Sequence, residues 1–451
     1  MKSLLKKFIP RAALNFYHKS LAILSAFVYG FPSNKMIVVG VTGTNGKSTT
    51  VALIAKVLES GGAGVGATST VGFKIADKEW LNDKKMTMLG RFQLQKLLKK
   101  MAQAGCKYAV LEVSSEGIKQ YRHLGINFDY AVFTNLTPEH LESHGGFDNY
   151  KRAKGELFQH LTKRKKIIKQ SLTPSSVVTP DDPEVKKTAI VNIDDKHAEY
   201  FLTFSADKKI KFSVKNENAD LIAKNIQVST AGTSFEINDK KINLKLIGAF
   251  NVENALPAIA VGIEEGIALE KIKQGLESVK VVPGRMEAID EGQPFSVLVD
   301  YAPEPASMGK LYETIILINQ STNQPINQII HVLGSCGGGR DKARRPVLGK
   351  MAGKNSDIVV VTNEDPYDDD PMEIIDQVAA GALEVGKKLN ENLFKILDRK
   401  QAIEKALSLA KQGDLVLVTG KGSEQRMAVA GGKYVEWDDR SIIREILSRA
   451  N

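Results

Sequence analysis

Residues 43–48 read Gly-Thr-Asn-Gly-Lys-Ser and fall between an apolar run, MIVVGV, and a helical pattern, STTVALIAKVLESGG. In that setting the backbone N–H groups of Gly43, Thr44, Asn45 and Gly46 and the helix N-terminus face an anion. Lys47 reaches terminal phosphates, and a Ser48 or Thr49 hydroxyl joins a Mg²⁺ shell. A triphosphate site follows. The spacing is that of a shortened phosphate loop, because Val41 stands where the common pattern has glycine. A lysine at a glycine turn gains nothing from packing, which argues for a ligand there. Glu112 ends a second apolar run, YAVLEV. A carboxylate at a strand's C-terminal end beside a phosphate loop is placed to hold Mg²⁺ directly or through water; away from such a loop it reads as a solvated strand end.

These residues need a frame. Apolar strands recur at 108–113, 130–135 (YAVFTN) and 189–194 (AIVNID), alternating with helical segments, so the chain reads as α/β with a parallel sheet covered on both faces. Residues 206–247 show short alternating segments, KIKFSV and TSFEIND, and read as an antiparallel hairpin layer. The helix NVENALPAIAVGIEEG leads to VVPGRMEAID, where Pro283 and Gly284 mark a domain joint. Beyond it SVLVDYA, QIIHVLGSCGGG, DIVVVTNEDP and DLVLVTGKG form a second α/β series, each strand ending in a polar or glycine-rich loop. Ligands of open α/β sheets bind outside the carboxyl ends of the strands, so these loops are candidate site.

A chain of 451 residues holds two or three domains, and no apolar run approaches the roughly 18 residues that span a bilayer. Two cysteines, Cys106 and Cys336, far apart and without ligand neighbours, fit a reducing, cytoplasmic setting. The excess of 62 Lys+Arg over 52 Asp+Glu suits an anionic partner: a nucleotide, a nucleotide-sugar, nucleic acid or lipid headgroups. Residues 1–35 combine Lys2, Lys6, Lys7, Arg11 and Lys19 with the apolar stretch LAILSAFVYGF. A helix packed on the body is preferred there to a membrane-surface anchor.

TGTNGKST at 42–49 resembles the ATP loop of the Mur ligases, ATP-dependent amide-forming enzymes of peptidoglycan precursor synthesis. LEVSSEG, FTNLTPEHLESHG, YKRAKGELF, GAFNVENALPA, VPGRME, GSCGGGRDKARRP, TNEDP and TGKGSE follow in the family's order from Met36 to the C-terminus. The pattern is most similar to the branch that adds the third residue to UDP-N-acetylmuramoyl-L-alanyl-D-glutamate. The resemblance implies a reduced N-terminal segment (1–35), a central P-loop ATPase domain (36–284) and a C-terminal Rossmann-like domain (285–451). It implies a cytoplasmic ligase, using ATP and Mg²⁺, whose product serves cell-wall growth, cell shape and division. Its partners would be a muramyl-peptide acceptor, UDP-linked or not, and an amino acid, with no nucleic acid. A first domain of the family's usual size is not present before the ATP loop, which leaves uridine recognition unassigned. Glu116, Pro303 and Ser423 stand where the family pattern carries histidines.

The same resemblance assigns roles. Lys47, Glu112, His140 and Lys154 would be catalytic, and Ser48, Glu112, His140 and carbamylated Lys154 would surround the metal. An ammonium cannot coordinate Mg²⁺, whereas a carbamate offers anionic oxygens, and its formation needs a lysine of lowered pKa. On position alone His140 is a helix-start residue and Lys154 a helix-surface lysine. Asn251 would hold adenine, although Asn251 and Asn254 also read as N-caps. Arg285 would contact nucleotide phosphate on closure, or else form a hinge salt bridge, and Lys342 would reach the γ-phosphate. Thr87, Ser114, Gln120 and Arg122 fall on acceptor positions, the fork of Arg122 suiting a carboxylate. The incoming amino acid would meet Arg340, Glu364, Asp365, Gly420 and Glu424. Diaminopimelate-adding members show DNPR where this chain reads EDPY, and Tyr367 cannot pair with a distal carboxylate. Lysine or ornithine is therefore expected over meso-diaminopimelate. The rival readings are a folylpolyglutamate-synthase-like amide ligase and a non-catalytic ATP-binding scaffold.

Overall fold

The computed structural model describes residues 11–139, 141–163, 185–321 and 325–450; residues 1–10 and the expected metal ligand His140 lie outside these. The first element, α1 (Arg11–Val28), packs on the body through Ala22, Ser25 and Ala26, as expected of that segment. β1 (Ile37–Thr42) follows and runs down the middle of a nine-stranded sheet. Its Val39 and Val41 enter one core and Val38 the other, because a strand covered on both faces alternates its side chains between two apolar layers.

The next elements are α2 (Lys47–Ser60), β2 (Val65–Thr68), β3 (Gly72–Ile75), β4 (Lys78–Leu81), α3 (Arg91–Gln103), β5 (Tyr108–Glu112), β6 (Tyr130–Phe133), α4 (Phe147–Lys163), β7 (Thr188–Asn192), β8 (Lys208–Ser213) and β9 (Leu221–Ile222). The sheet order is β4-β3-β2-β5-β1-β6-β7-β8-β9, parallel except for β3, which runs antiparallel to both β2 and β4. The strand order switches at β1, whose neighbours β5 and β6 come later in the chain, and such a switch opens a crevice at the strands' carboxyl ends. α2 and α5 (Phe250–Glu264) cover one face, with Leu53, Ile54, Val57, Leu256 and Ile259 in its core. α3 and α4 cover the other through Leu94, Leu98, Met101, Leu157 and Phe158.

The hairpin-layer expectation is half correct. β10 (Lys224–Ser229), β11 (Gly232–Ile237) and β12 (Lys240–Leu244) form an antiparallel layer, but KIKFSV is β8, parallel to β7. Its alternation comes from lying near the sheet's edge, with Lys208 and Lys209 exposed. Two helices, Phe250–Glu264 and Leu269–Ser278, then lead to the joint, where Val282 and Arg285 form a β-bridge across Gly284.

The second sheet contains β13 (Glu287–Ala288), β14 (Ser296–Asp300), β15 (Ile329–Leu333), β16 (Ile358–Thr362), β17 (Leu393–Ile396) and β18 (Leu415–Thr419). The four expected strands are parallel neighbours in the order β14-β18-β15-β16, with β13 antiparallel at one edge and β17 parallel at the other. Its strand ends meet those of the first sheet. Asn45 Nδ2 donates to Glu304 Oε1 at 2.7 Å across the joint, and Asp341 accepts from the Leu141 and Glu142 amides at 3.2 and 3.1 Å.

Candidate active site

The loop between β1 and α2 is held open by its neighbours. Gly43 and Gly46 have φ of 150° and 81°, and a Cβ at either would strike the Thr134 hydroxyl or the Asn254 side chain, so both positions need glycine. Asn135, after β6, pins the loop: its carbonyl accepts from Thr44 N at 2.8 Å and its Oδ1 from Asn45 N at 2.9 Å. Lys47 Nζ donates to Thr44 O at 2.5 Å, folding its ammonium over the loop's own mouth. Ser48 and Thr49 open α2 with buried side chains and line the cavity.

Glu112 ends β5 opposite Val41 and is buried rather than solvated. It accepts from Ser48 Oγ at 2.7 Å, Thr70 N at 2.8 Å and Thr70 Oγ1 at 3.1 Å, and Thr70 Oγ1 shares a 2.8 Å hydrogen bond with Thr87. Thr87 thus belongs to the same network as the expected metal carboxylate. Lys154 reaches inward from α4 and is buried, with Nζ donating to Gly43 O at 2.6 Å and lying 4.5 Å from the Tyr150 ring centre. Burial, and then the Lys47 ammonium, push its pKa well below that of an ordinary lysine. Hard oxygen donors on Ser48 and Glu112 beside a buried amine of lowered pKa fit Mg²⁺ chemistry, and a carbamate on Lys154 would add the second anionic ligand.

Asn251 and Asn254 are not caps. Ala249 is the capping residue of α5, and Asn251 sits inside its first turn with Nδ2 donating to Ile247 O at 2.8 Å. Asn254 Nδ2 donates to Asn251 Oδ1 at 3.1 Å, which aims Asn254 at the loop. Arg285 lies over the Tyr301 ring at 4.6 Å, beside half-buried Asp300, and lines the cavity in place of a hinge salt bridge. Lys342 is exposed and outside the cavity lining; Arg340 and Arg344, either side of it, face the cavity.

Among the acceptor positions, Thr87 and Ser114 line the cavity. Ser114 caps the short helix Ser115–Lys119 by accepting from Gly117 N at 3.1 Å. Gln120 and Arg122 lie on its flank. Arg122 donates to the Met88 carbonyl and, at 2.7 Å, to Gln120 Oε1, and burial together with neighbouring Arg91 lowers its pKa.

The expected amino-acid pocket carries more charge than its motif suggests. Glu424 and Asp365 share two ammonium groups: Lys421 Nζ at 2.6 Å from Glu424 and 3.1 Å from Asp365, and Lys85 Nζ at 2.7 and 2.5 Å. Burial would raise the Glu424 pKa, but Lys421 and Lys85 outweigh it and hold the group at about 2. Glu364 goes the other way, raised by burial and by Asp365, and accepts from Cys336 Sγ at 2.8 Å. Its carboxylate packs on Gly420. Cys336, Glu364 and Asp365 are close enough to hold a cation, yet the thiol is spent on Glu364 and Asp365 on the two lysines. Sequence reasoning missed Lys85, Lys421, Glu304 and Tyr150. Lys421 lay within the TGKGSE match, whereas Lys85 and Glu304 carried no local signal.

A phosphate loop at the switch point of one α/β sheet, closed by the strand ends of a second, defines a two-domain nucleotide-dependent enzyme. Residues 41–262 match the Mur ligase middle domain, and residues 284–422 match the Mur ligase, glutamate ligase domain. The UDP-N-acetylmuramyl-tripeptide synthetase of Roseiflexus sp. (strain RS-1) is 40% identical over 95% of this chain and 82% of its own. A solved UDP-N-acetylmuramoyl-L-alanyl-D-glutamate–2,6-diaminopimelate ligase is 28% identical, with a TM-score of 0.58, over 92% of this chain and 79% of its own. A Mycobacterium tuberculosis folylpolyglutamate synthase shares the fold, with a TM-score of 0.66 at 18% identity over 89% of this chain and 92% of its own. The chain belongs to the Mur ligase family and is an ATP-dependent, ADP-forming amide ligase.

Proposed function

We propose that this ligase joins an amino acid to the terminal carboxylate of a muramyl dipeptide in the cytoplasm. Residues 36–284 would bind ATP and acceptor, and residues 285–451 the amino acid. The acceptor carboxylate oxygen attacks the γ-phosphorus and ADP leaves. The amine then attacks the acyl carbon, phosphate departs and the nitrogen loses a proton. Mg²⁺ at Ser48, Glu112 and a carbamate on Lys154 would neutralise phosphate charge. Lys47, Arg285 and Arg340 face the same space from both domains, so catalysis rests on positioning and charge stabilisation. The observation that carries this reading is that convergence on one cavity. The folylpolyglutamate-synthase-like alternative has fold likeness alone in its favour.

For the amino acid, Lys85 supplies the argument. Its ammonium enters from the other domain and occupies the place between Asp365 and Glu424 where a side-chain ammonium of the substrate would sit. Lysine or ornithine would displace it like for like, whereas a distal carboxylate would meet Glu364 and Asp365. Phosphate release measured with UDP-linked and UDP-free muramyl dipeptide, against lysine, ornithine, diaminopimelate and glutamate, tests both claims. Turnover needing the muramyl acceptor and a diamino acid is expected. Turnover with a folate acceptor and glutamate would overturn the function, and a tenfold or greater preference for diaminopimelate in kcat/KM would overturn the pocket assignment alone.

A further inference from the structure

We propose that the solvent face of α1 and the adjoining flank of α3 form a docking surface for an anionic phospholipid bilayer. α1 is inverted relative to an ordinary surface helix. Ala22, Ser25 and Ala26 face the body, while Phe16, Tyr17, Ile23, Leu24, Phe27 and Val28 are 43% to 73% exposed. On a helical wheel these six fall within an arc of about 140°. A contiguous apolar face of this kind on a folded chain marks a contact with something else.

The charges around it select the occupant. Neither α1 nor α3 contains an aspartate or glutamate. Lys96, Lys99 and Lys100 stand exposed along α3, Lys35 behind α1, and Lys19 is exposed with its ammonium 4.9 Å from the Tyr121 ring. An apolar stripe flanked along α1 and α3 by lysines and by no carboxylate of either helix complements an anionic headgroup layer above acyl chains. A second copy would set the same lysines against one another across a two-fold axis. Among the described residues no helix is long and apolar enough to cross a membrane, so α1 would lie in the interface plane. Arg91, at the start of α3, donates to Gln120 O at 2.5 Å, which places this surface beside the segment 114–122.

Vesicle flotation of the full chain tests the proposal. Protein should float with phosphatidylcholine–phosphatidylglycerol vesicles at about 0.1 M salt, at least about tenfold more than with phosphatidylcholine alone, and be released at about 1 M salt. Phe16→Ser with Phe27→Ser should abolish flotation, and Lys96→Gln, Lys99→Gln and Lys100→Gln should each weaken it about fivefold. All five side chains are exposed, so unchanged thermal melts would separate lost binding from lost folding. The inference fails if neither vesicle binds, if both bind equally, or if the phenylalanine variant still floats. It also fails if sedimentation shows a dimer that the phenylalanine variant dissolves while vesicles stay unbound.

Discussion

An amine that takes up carbon dioxide has to be unprotonated, and Lys154 sits where protonation is disfavoured by burial and by the Lys47 ammonium. Its partner at 2.6 Å is a carbonyl of the phosphate loop, so a carbamate there would face the phosphates. Lys154→Ala is expected to lose turnover, with partial recovery when short carboxylates are added to the buffer. Labelled bicarbonate should give a carbamate resonance in the parent and none in the variant; a plain amine in a fully active enzyme would end the idea. Lys47→Ala should reduce ATP-dependent turnover by on the order of a hundredfold or more, because the loop loses the cation that covers it. Turnover near the parent level would remove the phosphate-loop assignment. Lys47 was legible from motif and spacing, because the chemistry of a phosphate loop is local to a strand, a turn and a helix start, whereas Lys154 reads by position as a helix-surface lysine and takes its role only from the family resemblance.

At the scale of elements, the turn after β4 matters most, since it carries Lys85 into the opposite domain. Lys85 is buried with φ of 50°, a left-handed conformation uncommon outside glycine, and its nitrogen also donates to Arg426 O at 3.1 Å. If Lys85 stands in for the substrate ammonium, Lys85→Met should lower the KM for lysine several-fold and leave the KM for the acceptor unchanged. A rise in both constants would mean that the turn only ties the domains together. Nothing near 85 in the sequence signals this role: it is one lysine of the pair Lys84-Lys85 in a polar turn.

For the whole molecule, the C-terminal domain carries its own acid sensitivity. His331 is buried in β15 between Tyr312 OH at 2.6 Å and Thr419 Oγ1 at 2.9 Å. Burial, and then Arg399, push its pKa down to about 3. The unfolded chain, titrating near 6.5, binds more protons than the folded one between these values. Stability is therefore complete above about pH 6.5 and falls towards pH 3, by about 1 kcal/mol per unit. Denaturant unfolding of the domain at pH 7 and pH 5 should show this loss. His331→Gln, though less stable at pH 7, should lose less on acidification; equal slopes would assign the acid sensitivity to other groups.

The sequence by itself determined what depends on near neighbours. The strand–glycine–lysine–helix pattern, the apolar runs of two parallel sheets and the strand-end position of Glu112 follow from periodicity and turn chemistry, and the ordered motifs carry the family. Tertiary structure decided what depends on distant pairing. Asn45 meets Glu304 across 259 positions, and Lys85 meets Asp365 across 280 and Glu424 across 339. No local pattern encodes such partners, because they arise only when the strand ends of two sheets face each other. The same holds for α1: its sequence announces an apolar helix, but only packing shows that Ala22, Ser25 and Ala26 face the protein while its large side chains face outward. Close approach to α3 favours small residues at the contact, and the helix's geometry then turns the large ones to the opposite side.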